Sequence, residues 1–226
     1  MRAQPRVILA GRYFFLLASL VVLGLLYPVL LEGRGGRVVW TVALWLVLCG
    51  GWRAIQPHPR IRAAGVALVI AALCAGAWHL VTAAGATAPL IMFAATNFAF
   101  LGLTAMVLLV DVLGGDDDVV DVDKIFGVVC AYIVIGLAFA FLFLLVHALQ
   151  PSLGAVTPTP QEPFLVDYLY FSFSTLTTVG YGDLAPVGAF SRLFASVEAV
   201  TGMLYVTIVV ARLVGLHIAQ RPPRRE

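Results

Sequence analysis

Residues 177–183 read Thr-Thr-Val-Gly-Tyr-Gly-Asp. Two glycines alternate with larger residues, so the backbone can alternate between ordinary and positive-φ conformations, which glycine enters without steric cost. Successive carbonyls of such a strand can be turned toward one axis. In a soluble chain the same letters would make an ordinary strand and turn, but the flanks argue otherwise. Leu165 to Thr177 is apolar and aromatic and holds no Pro or Gly. As a helix it would be about 18 Å long, too short to cross a bilayer and long enough to enter half of one. Leu193 to Leu216, after the stretch, is long enough to span. Irregular backbone at membrane depth is tolerated only where protein or water surrounds it, so the chain after Thr177 should line a water-filled path.

The rest of the chain agrees with a membrane setting. Of 226 residues 62% are hydrophobic and 12% charged, against roughly 45–50% and 25% in soluble domains. A disordered chain, a nucleic-acid binder and a soluble enzyme are disfavoured at once. Tyr13 to Leu31 and Val38 to Ile55 each fit one span. Ala63 to Val110 contains no Lys, Arg, Asp or Glu; as one helix it would be roughly 70 Å long. It is therefore expected to be two spans, broken at Gly85-Ala86-Thr87-Ala88-Pro89. Ile125 to Leu149 is a fifth span and Leu193 to Leu216 a sixth. Gln150 to Phe164, with Pro151, Pro158, Pro160 and Pro163, reads as an extended outer loop. The expected fold is an all-α membrane protein with six transmembrane helices, a re-entrant pore helix and a filter loop. Cys49, Cys74 and Cys130 sit in apolar runs and read as packing residues. With the N-terminus inside, eleven of the fourteen Lys and Arg fall on the cytoplasmic side, so both termini are expected there.

With these residues in place, Leu165 to Gly215 resembles the pore module of bacterial potassium channels, whose filter reads TVGYG. The resemblance implies a multi-pass protein of the cell (inner) membrane that conducts K⁺ passively and is not an enzyme. The backbone of Thr178, Val179, Gly180, Tyr181 and Gly182 would form the ion sites. Backbone carbonyls are dipoles of moderate strength, whereas carboxylates would hold a bare cation too tightly. One chain supplies one filter strand and a closed ring needs four, so a homotetramer in a lipid bilayer is expected. K⁺ is the permeant ion and the metal at the filter; no organic cofactor, nucleic acid or soluble partner is implied. Thr177, Tyr170, Asp183 and Glu198 are candidate filter supports. Tyr170 and Phe171 stand where many relatives carry two tryptophans, and Ser174 where some carry a glutamate. Gly202 resembles the inner-helix hinge, with a plain small-residue packing role as the alternative, and Met203, Val206, Val210 and Val214 recur below it as a candidate gate or a plain packing face. Glu198 lies one turn before Gly202. A carboxylate within a span costs about 2.5–3.5 kcal/mol on insertion scales, so it needs a partner or a purpose. Ser172, Ser174, Thr175 and Thr177 are within its expected reach, and some inwardly rectifying bacterial channels carry a glutamate in the same place. Arg192 or water at the outer interface is the alternative.

The organisation then divides into a four-helix domain (1–113), an acidic cytoplasmic linker (114–124), a pore domain (125–216) and a short basic tail (217–226). The layout is that of voltage-gated channels, but the fourth span, Pro89 to Val110, carries none of the basic residues that would move in the field. Weak or absent voltage dependence is the consequence. Asp116, Asp117, Asp118, Asp121 and Asp123 either hold a regulatory divalent ion or form a solvated linker. The four histidines are scattered and define no site. A poorly selective cation channel, a non-conducting membrane subunit and a membrane enzyme are the rival readings. The filter letters are intact, and no nucleophile–base pair lies in a span.

Overall fold

The computed structural model describes residues 11, 13–26, 33–82, 86–114, 122–150 and 165–219. These residues form seven helices: α1 (Phe14–Leu25), α2 (Gly33–Ile55), α3 (Pro59–Val81), α4 (Thr87–Gly114), α5 (Val122–Leu149), α6 (Leu165–Leu176) and α7 (Ala189–Ala219). Five of them, α2 to α5 and α7, are long and apolar enough to cross a membrane. The chain is an all-α, multi-pass membrane protein. The sequence predicts six spans. The described part of the first, α1, has 12 residues, and residues 27–32 lie outside the described ones. Residues 151–164, expected to form an outer loop, lie outside them as well.

Helix ends run past the apolar stretches that announce them. α3 starts at Pro59, whose fixed φ suits the first helical turn, behind an extended His58. α4 continues to Gly114 and so includes Asp111. α5 starts three residues early and carries Asp123 in its first turn, where the helix dipole favours negative charge.

α5 is the hub. It packs along α4 on one side and against α6, α7 and α1 on others, while α2 lies against α1, α3 and α4. Aromatic rings make these joints: Phe93 of α4 meets Phe141 edge-on at 5.5 Å, and Phe143 meets Phe171 of α6 at 4.9 Å. Such pairs add about 0.5–1.5 kcal/mol beyond their buried area.

At one end of the bundle a polar knot joins four elements. The Tyr13 backbone N–H donates to Asp123 at 3.1 Å and its hydroxyl to Asp111 at 2.7 Å. The other Asp111 oxygen lies 3.1 Å from Nε2 of His58, in the α2–α3 turn. Asp116, Asp117, Asp118 and Asp121 lie outside the described residues. Asp123 accepts from Tyr13, and no group of three or more potential metal ligands occurs among the described residues.

Candidate functional site

α6 is a half-length helix with one buried face. Val166, Tyr168, Leu169, Phe171, Ser172 and Leu176 are buried, at the three- and four-residue spacing that brings side chains to one side. At 12 residues it is about 18 Å long. It ends one residue before the Thr177 expected from sequence.

The last four carbonyls of a helix have no intrahelical partner. Here the next few residues fold back to use three of them. Thr177 N–H and its hydroxyl both donate to Phe173 O, at 3.1 and 2.6 Å. Thr178 N–H donates to Thr175 O at 2.9 Å, and the N–H groups of Val179 and Gly180 donate to Ser174 O at 3.0 and 3.1 Å. All peptide bonds among the described residues are trans. In a trans peptide the N–H and the preceding C=O point in opposite directions. With the N–H groups of 178, 179 and 180 aimed at the helix, the carbonyls of Thr177, Thr178 and Val179 are turned away from it.

The alternation expected of the two glycines is present and longer. Thr178, Gly180 and Gly182 have φ of 60°, 55° and 83°. Sequence reading misses Thr178, because a β-branched residue at positive φ is a genuine outlier, costing about 1–2 kcal/mol. Only the position of Thr178 two residues before Gly180 could have signalled it.

Behind the loop, Tyr181 stacks on Tyr170 with ring centres 5.9 Å apart, and the Tyr170 hydroxyl donates to Asp183 at 3.1 Å. Thr177, Val179 and Tyr181 face an open cavity of about 470 Å³, whose walls include Tyr170, Phe173 and Ser174. Val179 and Tyr181 are 55% and 70% exposed in the single chain, unusually open for large apolar residues on a tightly tethered loop. The Ser174 hydroxyl turns back to Phe171 O.

Glu198 is fully buried on α7. The Ser172 hydroxyl donates to its Oε1 at 2.5 Å and also lies 2.7 Å from Gly136 O on α5. Its Oε2 has no partner among the described residues. Arg192 instead donates from Nε to Pro186 O. Glu198 therefore ties α7 to the back of α6.

Gly202 is buried, and α7 runs through it without a break. A side chain there would run into the carbonyl of Leu176, so α7 crosses the end of α6 at contact distance. Close approach, more than bending, accounts for this glycine in the observed state. Met203, Val206 and Val210 are 64%, 49% and 52% exposed. The last two line a cleft against Val128 and Val129 of α5. Val214 belongs to α7, but its side chain lies outside the described residues.

Residues 145–217 match the family described as Ion channel, a stretch that contains α6, the loop and all but the last two residues of α7. Protein LctB of Bacillus caldotenax is 33% identical over 131 residues, 52% of this chain and 95% of that protein. Two-pore potassium channel 1 of Arabidopsis thaliana is 48% identical over 48 residues, 21% of this chain and 13% of its own. The inward rectifier potassium channel Kirbac3.1 of Paramagnetospirillum magnetotacticum is 29% identical over 80 residues, 35% of this chain and 25% of its own. No solved structure matches. With a third of its aligned residues shared across nearly the whole length of an LctB protein, the chain belongs to the LctB family and carries a potassium-channel-type ion-channel domain in its second half.

Proposed function

We propose that four copies of this chain form a K⁺-selective pore through the cell (inner) membrane, with residues 178–182 as its filter and both termini cytoplasmic. The observation that supports this most is the loop itself. Positive φ recurs at 178, 180 and 182, and the N–H groups of 178, 179 and 180 are spent on the end of α6. That leaves a row of carbonyls facing away from the protein, which is what a dehydrated cation needs once neighbouring copies close the ring. The exposed Val179 and Tyr181 and the apolar surface of α7 supply material for such a ring. The named potassium channels among the relatives support K⁺ as the permeant ion.

The remaining assignments depend on this one. Thr177, Tyr170, Asp183 and Glu198 brace the filter from behind, and Met203, Val206 and Val210 line the path below Gly202. α4 carries no basic residue, so the four-helix domain lacks a source of steep voltage dependence. The excess of Lys and Arg on one side sets the orientation.

The test is K⁺ flux into liposomes holding the purified protein. Gly180→Ala places a methyl at φ 55° and is expected to abolish flux while leaving the assembly intact on size-exclusion chromatography. Unchanged flux from this variant would mean that the filter is misassigned.

A further inference from the structure

Three of the four terminal carbonyls of α6 are used by the loop after it; the fourth, on Leu176, is not. Its donor comes from another helix: the Tyr132 hydroxyl of α5, at 3.2 Å. Leu176 is 1% exposed and its carbonyl also faces Gly202 of α7, which leaves no room for water on that side. A buried carbonyl in this position needs a donor, because an unmade hydrogen bond costs more than a made one gains.

Tyr132 is itself held. Its ring packs on that of Tyr205 with centres 5.3 Å apart. Tyr205, three residues beyond Gly202 on α7, donates its hydroxyl to Val128 O at 2.5 Å, one turn before Tyr132 on α5. Both phenols are thus spent on backbone carbonyls, one at the root of the filter and one on the helix that carries its partner. Both tyrosines also line the apolar cleft that Val128, Val129, Val206 and Val210 share. α7 therefore meets Leu176 twice, directly through Gly202 and indirectly through Tyr205 and Tyr132.

We propose that Tyr132 is a positioning residue for the filter, fixing the Leu176 carbonyl from which residues 177–180 hang, and that Tyr205 holds Tyr132 in place. The inference rests on the reading of residues 178–182 as an ion filter, but part of its test needs no current.

The test compares the full-length protein with Tyr132→Phe and Tyr205→Phe in K⁺-containing detergent, by amide exchange resolved to short peptides. Each substitution removes one oxygen and keeps the ring. Tyr132→Phe is expected to speed exchange of the 178–180 amides about tenfold, and Tyr205→Phe about threefold, with α2 and α3 amides unchanged. A merely structural loss would raise exchange throughout the bundle instead. In bilayer recordings, Tyr132→Phe is expected to shorten mean open time about tenfold, and the double variant no further than the single one. Parent-like exchange at 178–180 in Tyr132→Phe would overturn the proposal, as would a uniform rise. Locally faster exchange in protein whose parent passes no K⁺ would uphold the positioning role and sink the channel reading. If Tyr132→Phe does not assemble, parent-like exchange in Tyr205→Phe is enough to overturn it.

Discussion

The Tyr13 hydroxyl donates a 2.7 Å hydrogen bond to Asp111 across 98 residues of sequence. It joins the start of α1 to the end of α4, while the Tyr13 backbone N–H reaches Asp123 at the start of α5. One residue thus bridges the end of α4 and the start of α5, on either side of the stretch expected to be an acidic linker. Tyr13 is 6% exposed, so its polar groups have little access to water.

Removing that hydroxyl should be felt as lost stability. Tyr13→Phe is expected to cost about 1 kcal/mol, the usual net worth of a hydrogen bond, and Asp111→Ala about 1–3 kcal/mol, since it strands the Tyr13 hydroxyl as well. Thermal unfolding in detergent should order the midpoints as parent, Tyr13→Phe, Asp111→Ala. Equal midpoints would mean that the knot is not a stabilising joint.

The Ser172–Glu198 contact leads to an asymmetric expectation. Ser172→Ala removes the donor seen at Oε1 and leaves a fully buried carboxyl. Glu198→Gln keeps an acceptor and the shape. The alanine variant should lose about 1–3 kcal/mol and the glutamine variant less. Glu198→Val should also alter selectivity or open time, because it unties α7 from the back of α6. A valine variant with the parent's stability, selectivity and open time would show that Glu198 is no brace.

Gly202 and Gly102 make a matched pair. A methyl at Gly202 meets the Leu176 carbonyl, whereas nothing lies within 4 Å of one at Gly102. Gly202→Ala is expected to destabilise by about 1–3 kcal/mol or more, as overpacking does. Gly102→Ala should be neutral or gain up to about 1 kcal/mol from helix propensity. Thermal midpoints of the two variants decide this, and a neutral Gly202→Ala would contradict the close crossing of α6 and α7.

Beside the loop, Tyr170→Phe should keep the stack on Tyr181 and lose the bond to Asp183. That bond is exposed, so its worth is about 0.5–1.5 kcal/mol, or roughly twofold to thirteenfold in a rate. Entry into long closed states in steady recordings should rise by that factor, with single-channel current unchanged.

Much of the helix layout of the second half is legible in the sequence because length is a hard constraint in a bilayer. A 12-residue apolar segment before a glycine-alternating loop has few other uses, and its observed bounds differ from the expected ones by one residue. Helix ends near charges are less legible. Asp111 reads as the edge of a span, yet α4 continues through it because Tyr13 and His58 supply partners. Scattered histidines define no site in sequence, and the partner of His58 lies 53 residues away along the chain. Tyr132 looks like one more aromatic in an apolar run; only the fold brings its hydroxyl to the one terminal carbonyl of α6 left over by the loop. Gly202 carries a signal in its position 20 residues after Gly182, but sequence does not separate a hinge from a close crossing.

The central claim is that residues 178–182 select K⁺. Reversal potentials of the purified protein in planar bilayers, with K⁺ on one side and Na⁺ on the other, test it most directly. A reversal potential close to the K⁺ equilibrium value, lost in Gly180→Ala, is the expected result. A reversal potential near zero would instead identify a poorly selective cation pore, and no current from well-folded assemblies would contradict conduction altogether.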